Sequence, residues 1–254
     1  MLEIFSSLSA STLVFACAIA LLAGIVKGMV GFAMPMILIS GLSSVIEPEL
    51  ALAGLILPTL VTNGMQALRQ GPRAAFDSMR RFKAFLLVAF VMLVVSAQLV
   101  AIVSQTVLLL MIGGPIVLFA LIQLAGWQLT LPSASRRWEL GIGALAGFIG
   151  GFSGVWGPPT VAYLTALQTE KREQMRIQGV IYGLGAVGLT LAHIGSGVFN
   201  PRTAVLSMAL VPAAVVGMWI GGFFHDSIDQ RVFRRATLVV LLVAGLNLIR
   251  RGLA

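Results

Sequence analysis

Long apolar stretches separated by short polar connections occupy almost the whole chain. They lie at about residues 8–27, 29–44, 50–67, 84–103, 106–127, 139–152, 156–168, 177–196, 204–224 and 236–250. Most approach the roughly 20 residues that a helix needs to cross a hydrocarbon core, and they lack the alternation of apolar and polar positions typical of barrel strands. Because backbone in lipid must satisfy its hydrogen bonds internally, each stretch is predicted to be helical. The pattern predicts an all-α, polytopic membrane protein of about ten helical segments.

Composition excludes a soluble enzyme or a soluble binding module. The chain is 58% hydrophobic and 10% charged, with a mean hydropathy of +1.00, whereas an ordinary soluble domain is about 25% charged. A net charge of +8 could suit a nucleic-acid partner. The basic residues occur in clusters between apolar stretches, however, so the expected partner is the lipid bilayer and no nucleic acid is expected.

The basic clusters predict how the chain is threaded through the membrane. Of the 17 Lys and Arg residues, 13 lie in four connections, at residues 69–83, 136–137, 171–176 and 231–235. Basic connections face the cytoplasm in most membrane proteins, which predicts a multi-pass protein of the inner membrane with these loops cytoplasmic. All four can share one side only if residues 8–44 and 139–168 each turn back, as a helix pair or as a re-entrant hairpin.

An internal repeat relates the two halves of the chain. The segment Leu22–Pro35, LAGIVKGMVGFAMP, agrees with Leu145–Pro158, LAGFIGGFSGVWGP, at six of 14 positions and at an offset of 123 residues. We therefore divide the chain into a first membrane repeat, residues 1–128, and a second, residues 129–254, which together form one transporter domain. Each repeat holds five segments and opens with a hairpin broken by glycine and proline. Because five is odd, the repeats are predicted to have inverted topology, which is typical of secondary transporters.

At these motifs the chain resembles the TauE/SafE family of membrane anion transporters, also called the 4-toluene sulfonate uptake permease family. The resemblance covers essentially the whole chain. It rests on the glycine-rich hairpins that end at Pro35 and Pro158, and on a second-half stretch with His193, Gly195, Pro201, Gly217, Gly221 and Gly222. It implies movement of sulfite, sulfoacetate, other sulfonates or related anions across the cytoplasmic membrane of a prokaryote.

The hairpins are the first candidates for an anion-binding site. Glycine allows the chain to turn, and proline suits the first turn of the helix that resumes. If both turns lie at membrane depth, the positive ends of two half-helices can face one cavity and bind opposite sides of an oxyanion. The residues predicted to form these turns are Gly28, Gly31 and Pro35 in the first hairpin and Gly151, Gly154 and Pro158 in the second. For Gly24 and Gly147, close helix packing is the favoured interpretation.

Lys27 is the one basic residue within an apolar stretch and away from a basic connection. Burying a lysine at the centre of a membrane helix costs about 3 kcal/mol on insertion scales. Lys27 is therefore predicted to supply positive charge beside the first turn. The alternative is that its side chain extends from a helix end to the membrane interface.

Polar residues at helical spacing supply further candidates. Thr59, Asn63 and Gln66 share one face of the third segment, and Gln178, Tyr182 and His193 can share one face of the eighth. Such residues either line a cavity or form hydrogen bonds between helices. Asn63 can donate to an anion, His193 either carries a coupling proton or packs, and Trp156 either caps the cavity or packs.

The apolar stretches lack the residue types that several classes of membrane protein need. All nine acidic residues lie in connections or at segment ends, whereas cation transporters usually bury a carboxylate. Two histidines and one cysteine, Cys17, offer no metal cluster, and no nucleophile has a base beside it. We therefore expect no enzyme activity, no metal and no cofactor.

The sequence favours a secondary transporter that moves a small anion by alternating access. A passive anion channel is the closest alternative, and a membrane scaffold or assembly protein is a more distant one. The oligomeric state, including a homodimer, is left open.

Overall fold

The computed structural model describes residues 9–127, 135–224 and 230–253. Within these residues the chain forms eleven α-helices and one 3₁₀ helix, with no strand. The helices are α1 (Ala10–Val30), α2 (Met34–Leu42), α3 (Pro48–Leu68), α4 (Pro72–Arg81), α5 (Lys83–Ala97), α6 (Gln105–Leu124), α7 (Arg136–Ser153), α8 (Gly157–Ala166), α9 (Lys171–Gly195), α10 (Pro201–Phe223) and α11 (Gln230–Leu253). The 3₁₀ helix, Gln98–Ala101, follows α5 directly.

Local sequence signals determine where many of these helices begin. A side-chain oxygen at the N-cap accepts a hydrogen bond from a free backbone N–H of the first turn, and proline suits that turn because it lacks an N–H. The N-caps of this type are Ser9, Ser104, Ser135 and Asn200, before α1, α6, α7 and α10. Helices α3, α4 and α10 begin at a proline.

Seven of the helices are long and apolar enough to cross a membrane. These spans lie in α1, α3, α5 with its 3₁₀ extension, α6, α9, α10 and α11. Helices α2 and α8 have only 9 and 10 residues, too few for one crossing. The prediction of an all-α, multi-pass membrane protein is confirmed.

The described residues contain one helix that is not among the ten predicted segments. This helix, α4, lies in the first basic connection, for which the hydropathy pattern predicts no membrane segment. Its sequence, PRAAFDSMRR, places basic and apolar side chains on different faces. Because the mean hydropathy of such a segment is low, a search for apolar stretches does not find it.

Glycines bring two pairs of helices together at backbone distance. Helix α1 packs along α10, and α5 packs along α7. A Cβ added at Gly24 would collide with the backbone oxygen of Ala214, and one at Gly147 with that of Ala89. The packing role predicted for Gly24 and Gly147 is therefore confirmed. This close approach maximises van der Waals contact, which is a main source of helix association in lipid.

The described parts of the basic connections meet at one end of the bundle, which we call the basic end. The guanidinium of Arg81, in α4, lies 2.6 Å from the carboxylate of Glu173, in the first turn of α9. The carboxylate of Glu139, in the first turn of α7, accepts a hydrogen bond of 3.1 Å from the backbone N–H of Phe85 in α5. The assignment of this end to the cytoplasm stays a prediction.

Both predicted hairpins turn back on themselves. After α1, the chain turns at residues 31–33, and α2 returns antiparallel until Gly41 lies beside Ile19. After α7, it turns at residues 154–156, and α8 returns until the ring of Tyr163 stacks on Phe85, with centroids 6.1 Å apart. The first turn lies toward the basic end, and the second lies toward the opposite end.

Candidate functional site

The first break is a left-handed turn surrounded by polar side chains. Gly31 has a φ of 80° and Ala33 a φ of 73°, a conformation that glycine adopts without a side-chain clash. The side-chain amide of Gln66 donates to the carbonyl oxygen of Gly31 at 3.1 Å and to that of Met175 at 3.0 Å. A Cβ added at Gly31 would lie 3.3 Å from the amide oxygen of Gln178. Helices α3 and α9 therefore both hold polar groups against this break.

The second break also turns at a left-handed glycine, with apolar side chains nearest to it. Gly154 has a φ of 70°, and the atoms nearest to a Cβ added there belong to Leu55 and Leu189. The ring of Trp156 packs against Gly150 and Gly185. Pro158 lies buried in the first turn of α8. Apolar side chains of Leu55, Leu189 and Trp156 therefore pack against this break.

The two breaks do not face each other. On α3, the neighbour of Gly154 is Leu55 and that of Gly31 is Gln66, eleven residues further along. Eleven residues of helix extend about 16 Å. The expectation that the two breaks bind opposite sides of one anion is therefore wrong, because helical pairing displaces the first break toward the basic end and the second toward the other end.

The helix-break interpretation is also wrong for Gly28 and Gly151. Both lie inside regular helices, α1 and α7. A Cβ at Gly28 would collide with the backbone of Met218, and one at Gly151 with the backbone of Leu93. These glycines serve close helix packing, and the breaks follow them at Gly31 and Gly154.

Lys27 is a buried cation with an uncharged partner. Its side chain is 2% exposed, and its ammonium donates a hydrogen bond to the side-chain oxygen of Asn63, which is also buried. The amide of Asn63 in turn donates to the backbone oxygen of Tyr182 at 3.3 Å. Among the described residues, the ion pairs join Glu173 to Arg81 and Arg176, so no described carboxylate pairs with Lys27.

Lys27 and Gly28 line a cavity of about 410 Å³ between α1, α3, α9 and α10, in the half of the bundle nearer the basic end. Its polar groups come from Lys27, Gln66 and Arg69, and Arg69 is exposed at the outer rim. The apolar part of the wall consists of Met65, Met175, Met218, Trp219 and Phe223. The cavity thus carries two cations and an amide on a largely apolar surface.

The structure brings together one half of the predicted site and leaves the other half apart. Lys27, Gly28, Gly31 and Asn63 lie in or beside this cavity, and Pro35 follows in the first turn of α2. The residues that lie away from the cavity are Gly151, Gly154, Trp156, Pro158 and His193. Their predicted roles in binding stay predictions.

Arg69 lines the cavity but was not among the predicted residues, whereas Gln66 was already a candidate on the polar face of α3. Gln66 and Arg69, the C-cap of α3, follow Asn63 at spacings of three residues and continue one helical face. The polar stripe on α3 was visible in the sequence. Its extension to Arg69 was obscured because Arg69 also belongs to the first basic connection.

His193 connects α9 to α7 near the second break. It is fully buried, with Nε2 2.9 Å from the carbonyl oxygen of Gly151 and Nδ1 3.2 Å from the hydroxyl of Ser196. Nε2 carries the proton when it donates to this carbonyl. These contacts agree with a packing role, and proton coupling stays a prediction.

These features define a polytopic α-helical membrane protein with two broken hairpins and a buried cationic cavity. The profile of the sulfite exporter TauE/SafE family matches residues 16–248, and the chain belongs to that family. It is a family of membrane transporters for sulfite and related anions. Neither the curated proteins nor the solved structures contain a match to this chain.

Proposed function

We propose that this protein moves a small anion across the inner membrane by alternating access and binds it in the cavity at Lys27. The proposed substrate is a sulfur oxyanion or an organosulfonate, such as sulfite or sulfoacetate. Family membership supports the substrate class. The basic end is proposed to be cytoplasmic, which the positive-inside tendency supports.

The observation that carries the proposal is that Lys27 is buried and pairs with no described carboxylate. A buried charge is normally compensated by an opposite charge or a metal, yet the hydrogen-bond partner of Lys27 is the neutral side chain of Asn63. A bound anion would supply the missing charge. Arg69 at the rim would attract anions toward the cavity.

The cavity wall supports an anion that has an organic part as well as a charged group. Small-molecule sites commonly enclose 300–1,000 Å³, with mostly apolar walls and a few polar groups, and the cavity at Lys27 encloses about 410 Å³. A sulfonate group would lie beside the ammonium of Lys27. The thioether and aromatic side chains of Met218 and Trp219 would contact the remainder of the molecule.

The packing of the helices supports a carrier over a channel. The pairs α1 with α10 and α5 with α7, together with α3 with α9 and α6 with α11, are those expected if an axis in the membrane plane relates residues 1–128 to 129–254. Beyond Thr59, the face of α3 toward the opposite end bears the fully buried Leu52, Leu55 and Ile56. This apolar layer supports the proposal, because alternating access requires a barrier on one side of the site.

Replacing Lys27 by methionine tests the proposal. Lys27→Met removes the charge and preserves the length of the side chain, and we expect anion flux into proteoliposomes to fall at least about tenfold. A hydrogen bond to a charged group contributes about 1.5–3 kcal/mol, and 1.4 kcal/mol corresponds to tenfold. The flux of sulfite and of sulfoacetate would be measured against concentration and against an imposed gradient.

Stability separates loss of function from loss of fold. Replacing a buried charge by an apolar residue of similar size is often neutral or stabilising, so the thermal unfolding temperature should stay equal or rise. Arg250→Gln, near the far end of α11, is the control and should transport normally. Undiminished flux in Lys27→Met would refute the proposed site, and flux that never saturates would indicate a channel.

A further inference from the structure

Two apolar grooves border α9 beneath α4, on the outer surface of the helix bundle. One, of about 330 Å³, lies between α3 and α9, and the other, of about 390 Å³, lies between α5, α7 and α9. Met79, Leu184 and Val187 belong to the walls of both grooves. The grooves therefore diverge from a common point under α4 and are separated by a ridge on α9.

The grooves have the depth of one membrane leaflet. The groove on the α5 side extends from Lys83 to Leu93, which is about 15 Å along a helix. The groove on the α3 side extends from Leu60 to Leu68, which is about 12 Å. One leaflet contributes about half of a hydrocarbon core of about 30 Å, so each groove has the length of an acyl chain lying within it.

Two basic side chains lie near the point where the two grooves converge. Lys83 lines one groove, and Phe76 lines the other. The guanidinium of Arg80 lies 5.9 Å from the centroid of the Phe76 ring. Neither Lys83 nor Arg80 joins an ion pair with a described carboxylate. Asp77 is the one acidic residue of α4. The charge at the convergence point is therefore positive, and it faces an apolar cleft.

We propose that this surface binds one anionic phospholipid, with an acyl chain in each groove and the phosphate between Arg80 and Lys83. Two grooves that begin at the same place under α4 can hold the two acyl chains of one phospholipid. The position of the cations at the basic end matches a phosphate at the membrane interface. A second copy of the chain fits less well, because a two-fold contact would bring the same positive surfaces together. This proposal is independent of the one for Lys27.

Native mass spectrometry of the purified protein tests the lipid site. The protein would be titrated with phosphatidylglycerol and, separately, with phosphatidylcholine of the same acyl chains. We expect at least fivefold tighter binding of the first phosphatidylglycerol. In the double variant Arg80→Gln, Lys83→Gln that preference should fall below twofold. Arg73→Gln is the matched control, because Arg73 lies on α4 but neither lines a groove nor is recorded against a ring that does, and it should keep the preference.

A variant of the groove itself provides a second test. A Cβ added at Gly64 would meet no atom within 4 Å, so Gly64→Leu should fold and should occupy the groove on the α3 side. We expect weaker binding of both lipids and an unchanged charge preference. Equal binding of the two lipids by the wild type, an equal loss in Arg73→Gln, unchanged lipid binding in Gly64→Leu, or a lipid-free dimer covering the grooves would each overturn the proposal.

Discussion

Lys27 and Asn63 form a buried pair that carries one formal charge. The amide oxygen of Asn63 accepts a hydrogen bond from the ammonium of Lys27, and its amide nitrogen donates one to the backbone oxygen of Tyr182. Asn63 thereby holds the ammonium without neutralising it. A carboxylate at the same position would neutralise the ammonium, whereas the amide leaves it able to pair with the anion that we propose as the substrate.

Asn63→Asp should therefore block transport more strongly than Asn63→Ala. The new carboxylate would pair with Lys27 and compete with the substrate anion, whereas alanine only removes a hydrogen bond. We expect a higher substrate concentration for half-maximal flux in Asn63→Asp than in Asn63→Ala, and a higher unfolding temperature because the charge is compensated. Dose-dependent flux and thermal unfolding in detergent would measure both effects. Wild-type transport by Asn63→Asp would contradict the role assigned to Lys27.

Glycine decides how closely neighbouring helices approach, and its effect depends on position rather than on number. On α6, a Cβ at Gly113 would lie 2.9 Å from the backbone oxygen of Gly245 and from a side-chain atom of Ile249. At the adjacent Gly114 a Cβ would meet nothing within 4 Å. The first glycine permits α6 and α11 to pack, and the second faces outward.

This adjacent pair allows a matched prediction of stability. Gly113→Ala should destabilise the protein by about 1–3 kcal/mol, the usual cost of overpacking. Gly114→Ala should be neutral or stabilising by up to about 1 kcal/mol, because alanine favours the helix and restricts the unfolded chain. Chemical or thermal unfolding of the two variants in the same detergent would measure the difference. Equal stabilities would show that α6 and α11 do not pack at Gly113.

In the part of the molecule that the structure describes, the two ends differ in how the residues around the two breaks are packed. The cavity at Lys27 reaches the exposed Arg69, whereas the second break is enclosed by Leu55 and Leu189. In the alternating access that we propose, this arrangement would be one of two states. In the other state the packed layer would separate and the cavity would close.

Cysteine accessibility would detect this asymmetry. In a background with Cys17→Ser, which removes the one native cysteine, Met218→Cys should react with an impermeant thiol reagent added at the basic end. Sulfoacetate should slow that reaction, because the cysteine lines the proposed site. Leu189 is fully buried, so Leu189→Cys should not react with the reagent added at the basic end. Equal labelling at both positions would contradict the closed layer.

Much of the fold could be predicted because the membrane constrains it locally. Segment positions follow from runs of apolar residues, and the left-handed turns at Gly31 and Gly154 follow from glycine with proline nearby. Helix α4 was missed because its two faces average to low hydropathy. The roles of Gly28 and Gly151 were mistaken because a glycine needed for packing and a glycine needed for a turn look the same in a sequence.

The sequence by itself determined the helical class, the family, the two breaks and the presence of a lysine that lipid would not tolerate without a partner. Only the tertiary structure decided that the breaks lie about 16 Å apart along α3 and that Gln66 and Arg69 join Lys27 in one cavity. The physical reason is that hydropathy and backbone conformation are properties of short segments. The depth of a residue and its neighbours depend on which helices pair and in which register.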